Sequence, residues 1–124
     1  MAIGLHKVPH FTAHLKKWFV MLLQDAELTA IGFEHPESDV HPGMASLIVD
    51  YAKQAAETKQ VIFTTHSPDV IEGISAGSIR VVEKIDGVTR VGPLDASQRQ
   101  VVEDGLFGLN ELVRIEGLKM AAGL

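Results

Sequence analysis

Two short polar stretches hold the one dense constellation of side chains in this sequence that could do acid–base or ligand chemistry. Glu34, His35, Glu37, Asp39 and His41 fall in the first, and His66, Ser67 and Asp69 in the second, eight ionisable or hydroxyl-bearing groups in all. Carboxylates suit hard cations such as Mg2+, and imidazole exchanges protons near neutral pH. Glu34 closes an apolar run, which gives its carboxylate a fixed direction from which to hold a magnesium ion directly or through water. His66 stands between Thr64-Thr65 and Ser67-Pro68, placed to donate to a phosphate oxygen. Taken singly, Glu34 also reads as a solvated strand-end acid and His66 as a structural hydrogen-bonder; together they carry more. A third set, His6, His10 and His14, is spaced four apart and would form a metal-binding stripe on a helix, but Pro9 interrupts that helix. There is no cysteine, which excludes disulfides, a thiolate nucleophile and sulfur-ligated zinc.

The elements that must position these groups can be read from periodicity. Residues 1–9 form a loosely ordered lead-in, after which Phe11, Leu15, Trp18, Phe19 and Leu22 recur at helical spacing. Leu28 to Phe33 reads as a strand closed by Glu34. Met44, Leu47, Ile48, Tyr51, Ala52 and Ala55 mark one helix face, and Val61 to Thr65 reads as a second, buried strand. Strand, helix and strand join as a βαβ unit with parallel strands and a right-handed crossover. Both polar stretches then leave the same edge of the sheet, beyond the carboxyl ends of its strands, where open α/β sheets bind ligands. Further on, Pro68 to Ile74 is a short helix and Ser78 to Glu83 a third strand. Asp86-Gly87 is the turn before Val88 to Val91, and Ala96 to Asp104 and Leu109 to Glu116 are helical.

The chain has 124 residues, with 46% hydrophobic and 22% charged content, and this balance implies one globular domain over 1–124. Sixteen acidic against eleven basic side chains give a net charge of −5, which argues against a broadly basic nucleic-acid surface. The longest apolar run, Trp18 to Leu23, falls well short of the roughly 20 residues that span a bilayer. No secretory signal pattern opens the chain, and with the missing cysteines this implies a cytoplasmic protein without a membrane segment.

Ile31-Gly32-Phe33-Glu34-His35-Pro36-Glu37, followed by Val40-His41-Pro42-Gly43, resembles the Walker B strand and D-loop of ABC-type ATPases of the RecF/SMC-like branch. Val61 to Asp69 resembles the switch-histidine segment of the same family, in the same order and separated by one helix. The resemblance covers about Ala30 to Leu118, including Leu109-Asn110-Glu111-Leu112. It implies a partial P-loop NTPase-like fold: an α/β parallel sheet flanked by helices, with a C-terminal hairpin and helices. Carried over by position, Glu34 is the Mg2+-coordinating acid, Pro36 to Asp39 lead into a D-loop that crosses a dimer interface with Asp39 toward the cofactor, and His66 is the catalytic histidine that senses the γ-phosphate. His35 takes the place of the glutamate that polarises the attacking water.

The chain departs from the family in what it lacks. No G-x-x-x-x-G-K-[ST] occurs, and no Ser-Gly-type signature precedes the Walker B region. The resemblance therefore implies Mg2+ and ATP as cofactors and a truncated or degenerate ATPase domain that does not hydrolyse ATP alone. It also implies a homo-oligomer, or a partner chain that supplies a phosphate loop. The family's phosphate-loop strand lies beside the switch-histidine strand, so Val61 to Thr65 is expected to pair either directly with Ser78 to Glu83 or with another copy of the chain. DNA enters only as a weak expectation from the family. Two other readings stand beside this one: a nonenzymatic protein-interaction module, and a metal-dependent hydrolase built from Glu34, His35, Asp39, His41 and His66.

Overall fold

The structure, a computed structural model, describes residues 27–38 and 40–123. The lead-in, the helix expected from Phe11 onward and the His6, His10 and His14 stripe lie outside the described residues, as does Asp39. The chain is a mixed α/β structure that divides into two compact units, Met1–His66 and Ser67–Leu124. None of the described helices is long and apolar enough to cross a membrane.

In the first unit, strand β1 (Ala30–Glu34) is followed by a single 3-10 turn at Pro42–Met44, helix α1 (Ala45–Ala55) and strand β2 (Gln60–Thr64). The two strands are parallel and in simple register, with Ala30 opposite Gln60, Phe33 opposite Phe63 and Glu34 opposite Thr64. This is the expected βαβ unit, and its strand bounds fall within a residue or two of the sequence reading. Helix α1 forms because Ala45, Ile48, Val49, Ala52 and Ala55 recur at three and four residues and are all buried, while Ser46, Asp50 and Lys53 stay exposed. It packs on β2.

Only one face of this sheet is drawn in. Ile31, Phe33, Val61 and Phe63 are half-buried, whereas Gly32, Glu34, Ile62 and Thr64 are exposed, Ile62 by 58%. The expectation of a fully buried second strand is thus corrected. A continuous apolar run does not distinguish burial on one face from burial on two, and here the alternation of the pleat decides which side chains are covered.

In the second unit, Ser67 and Pro68 start a short helix, α2 (Pro68–Glu72). The Ser67 hydroxyl accepts the Val70 N–H at 3.4 Å, and proline sits where its missing N–H costs nothing. Strands β3 (Arg80–Ile85) and β4 (Val88–Pro93) make an antiparallel hairpin, with Val82 opposite Val91 and Ile85 opposite Val88. The expected Asp86-Gly87 turn joins them. Both residues have positive φ, 50° and 80°, the combination that matches the twist of a two-residue hairpin. The third strand starts later than expected, because Ala76–Ser78 is a 3-10 turn in which the Ser75 and Ser78 hydroxyls lie 2.9 Å apart.

Helices α3 (Ala96–Glu103) and α4 (Leu109–Ile115) complete this unit. Asp95 caps α3 by accepting the backbone N–H groups of Ser97 and Gln98, and the Ser97 hydroxyl donates to the same oxygen. Its carboxyl is held below the usual value of 3.8, first by the Ser97 hydroxyl and then by the two amides. Ile71, Val81, Leu94 and Leu109 are the buried centre, with Ile79, Val102, Val113, Leu118 and Met120 packed around them.

Among the described residues each strand pair forms its own two-stranded sheet: β2 pairs with β1, and β3 with β4. Val81 and its neighbours take β4 as partner, because the tight Asp86-Gly87 turn makes that the shortest loop to close.

Candidate functional site

The site grows from the ends of the two parallel strands. With Glu34 opposite Thr64, the ladder continues one step further through a hydrogen bond from the His35 N–H to the Thr64 carbonyl at 3.0 Å. The chain then turns sharply. Ser38 N–H donates to the His35 carbonyl at 3.1 Å, with Pro36 buried at the corner. To leave the strand and enter that turn, His35 adopts φ 46°, in the left-handed region. Side chains other than glycine pay a steric cost there, which concentrates at functional sites.

The consequence is that His35 and His66 come together. Their rings stack with centroids 5.1 Å apart and planes inclined by 24°. The Glu37 carboxylate completes the group. Its Oε1 lies 3.6 Å from Nδ1 of His35, an ion-pair separation, and accepts the Thr65 hydroxyl at 2.6 Å. Its Oε2 is buried and makes no hydrogen bond among the described residues. The carboxylate of Glu34 is exposed at the end of β1 and makes no hydrogen bond among the described residues, so it is open to a ligand from solvent.

Of the eight groups foreseen at one rim, Glu34, His35, Glu37 and His66 are therefore at the carboxyl ends of β1 and β2. His41 is not turned to that chemistry: its Nδ1 accepts the Gly43 N–H at 3.1 Å and caps the 3-10 turn that leads into α1. Ser67 and Asp69 belong to the second unit, where Ser67 caps α2 and Asp69 pairs with Arg114 at 3.1 Å. Among the described residues, no three His, Asp or Glu side chains are placed together to hold a metal ion. Sequence reasoning missed Thr65, which had been read only as part of the apolar strand. The signal was in the register: one step past the Glu34–Thr64 pair, Thr65 faces the turn that begins at His35.

As chemistry, the arrangement offers an exposed carboxylate for a hard cation, two imidazoles for proton exchange or phosphate contact, and a second carboxylate beside one of those imidazoles.

Comparison with known proteins gives a family likeness and a likeness of fold. The family described as "AAA domain, putative AbiEii toxin, Type IV TA system" matches residues 14–72, a span that contains the whole site. A solved structure described as "Structural biochemistry of ATP-driven dimerization and DNA stimulated activation of SMC ATPases" is similar with a TM-score of 0.58 and 17% identity. The match covers 80% of this chain and 61% of that one, so this chain spans less than two thirds of the structure it resembles. At that identity the likeness is one of fold. No curated protein sequence matches.

Proposed function

We propose, from the family match over residues 14–72 and the fold likeness to an SMC ATPase structure, that the chain is the Walker B, D-loop and switch-histidine half of a nucleotide site. It works with a partner chain that supplies the phosphate loop, which this sequence lacks. The observation that carries this reading is the in-register parallel pair β1–β2, which gathers Glu34, His35 and His66 at one end, with the two imidazoles stacked at 5.1 Å. The match to an SMC ATPase structure described by its ATP-driven dimerization supports an oligomeric arrangement.

The residues fit part of the cofactor. Magnesium in nucleotide sites is commonly held by one or two carboxylates together with substrate phosphates and water, and the exposed, unengaged carboxylate of Glu34 meets that need. His66 would meet the terminal phosphate. Bound Mg2+ and ATP would supply the phosphoryl group and the charge that neutralises it; the chain's own part is to hold the cation at Glu34, donate from His66 and receive a proton at His35. No residue of the sequence replaces the glycine-rich loop and lysine that cradle the phosphates, so the chain by itself does not hydrolyse ATP. His35 occupies the position of a general base, and imidazole can act as one near neutral pH.

Calorimetry of magnesium-ATP with the wild type, Glu34→Gln and His66→Ala side by side tests this reading. Magnesium-dependent binding that both variants weaken by tenfold or more is expected. Binding of equal strength in all three, or binding indifferent to magnesium, would sink it.

A further inference from the structure

Glu37 sits where it can act on His35 rather than on a ligand. The His35 backbone is fixed on both sides, by its N–H to Thr64 and its carbonyl from Ser38, and one face of its ring lies against His66. With backbone and ring face set, the Nδ1 edge is turned toward Glu37 Oε1. That oxygen is itself held by the Thr65 hydroxyl at 2.6 Å, so the carboxylate cannot swing away without breaking a short hydrogen bond. The other oxygen is buried and makes no hydrogen bond among the described residues, which costs free energy that the rest of the fold offsets.

An ionised carboxylate only accepts hydrogen bonds, and a neutral imidazole carries one proton on one of two nitrogens. The nitrogen that faces the carboxylate is the one that keeps the proton. We propose that Glu37, anchored by Thr65, is a positioning residue that holds the neutral ring of His35 as its Nδ1–H tautomer and so leaves Nε2 as the accepting atom. An unconstrained histidine prefers the opposite tautomer, so the arrangement inverts the ring's own preference. At 3.6 Å the two groups are not hydrogen-bonded, and the preference is electrostatic: a proton on Nδ1 is attracted by the facing carboxylate, whereas a lone pair there is repelled by it. That Nε2 then serves a water beside nucleotide rests on the function proposed above; the tautomer itself does not.

The test is long-range proton–nitrogen NMR of the full chain, 15N-labelled in its imidazoles, without nucleotide or metal. Spectra are recorded at about pH 8.5, above the ordinary histidine range. His35 is expected to show a protonated Nδ1 and an unprotonated Nε2, the ratio of the two tautomers falling by at least threefold in Glu37→Ala and in the same direction, by less, in Thr65→Val. A wild-type His35 with its proton on Nε2 overturns the proposal, as does a ratio unchanged in Glu37→Ala. Should Glu37→Ala fail to fold, the wild-type spectrum and Thr65→Val decide. Absent nucleotide binding with the Nδ1–H tautomer present would count against the proposed function alone, so the two failures are separable.

Discussion

Replacing His35 by glycine and by alanine isolates the cost of its backbone. Both variants lose the ring, hence the stack on His66 and the approach to Glu37, so these contributions cancel in the comparison. What differs is the backbone at φ 46°. A left-handed conformation costs a side-chain-bearing residue about 1–2 kcal/mol, and glycine is free of that cost. Against this, glycine enlarges the freedom of the unfolded chain and forfeits about 0.4–1 kcal/mol. The balance favours the glycine variant by about 0.5–1 kcal/mol. At a strand or helix interior the sign is reversed, with alanine ahead by about 0.5–1 kcal/mol, so the direction alone is diagnostic. Urea unfolding followed by far-ultraviolet circular dichroism resolves it. With a slope of about 2 kcal/mol per molar, the glycine midpoint lies higher by roughly 0.3–0.5 M. An alanine variant as stable as the glycine variant, or more so, would show that the turn at His35 carries no left-handed strain.

Two further perturbations address the second unit. Val70 is fully buried, and Val70→Ala removes two methyl groups and leaves a cavity, a loss of about 2 kcal/mol in unfolding free energy; a change below about 0.5 kcal/mol would mean the site collapses around the smaller side chain. Asp95 and Glu116 supply acid sensitivity. Hydrogen bonds from Ser97 and the Ser97 and Gln98 amides lower the first, and the Lys119 ammonium and Gln98 amide lower the second, from ordinary values of 3.8 and 4.5. A lowered folded value means that the stabilisation is complete above those values and lost as pH falls through the folded ones. Asp95→Asn keeps a capping oxygen but cannot titrate, so its stability curve should fall less steeply below pH 3.8 than that of the wild type. Equal slopes would remove Asp95 from the account. Lys119, raised above 10.5 by Glu116, acts at the other end: its contribution is complete below that value and fades as pH rises through the folded one.

Much of the fold was legible because its signals are local. The Ile48, Val49, Ala52 and Ala55 stripe gives α1 its length and buried face, and Asp86-Gly87 dictates a tight hairpin whatever surrounds it. The parallel pairing of β1 and β2 follows from one helix lying between two apolar runs. What was illegible depends on contacts distant in sequence or on the direction of a side chain. Nothing in the run Val61 to Thr64 reveals that Ile62 is exposed while Phe63 is half-buried, because that depends on which face meets a helix. For the candidate site, the gathering of Glu34, His35 and His66 was foreseen from topology. The employment of His41 as a turn cap was not, since an imidazole that accepts from an amide two residues away leaves no mark in composition. The left-handed His35 and the Thr65–Glu37 bond were equally hidden, both set by the tight exit from a strand.

Gln98 is 4% exposed, yet its amide is fully engaged: Nε2 donates to Glu116 and to the Gly117 carbonyl, and Oε1 accepts the Lys119 N–H. Backbone bonds from Asp95 to Lys119 and from Ala121 to Pro93 close the same segment along β4. This fixes an order of assembly. The hairpin is local and can form as soon as Pro93 has left the ribosome, with Val81, buried in the finished unit, still uncovered. The α3 helix cannot be seated until Lys119 arrives, because before then the Gln98 amide would enter the core without partners, at about 1–3 kcal/mol. During synthesis the second unit thus passes through an interval in which a sticky hairpin exists without its closing segment, the kind of species chaperones attend to. Proteolytic removal of the chain beyond Gly117 would return the finished molecule to that interval.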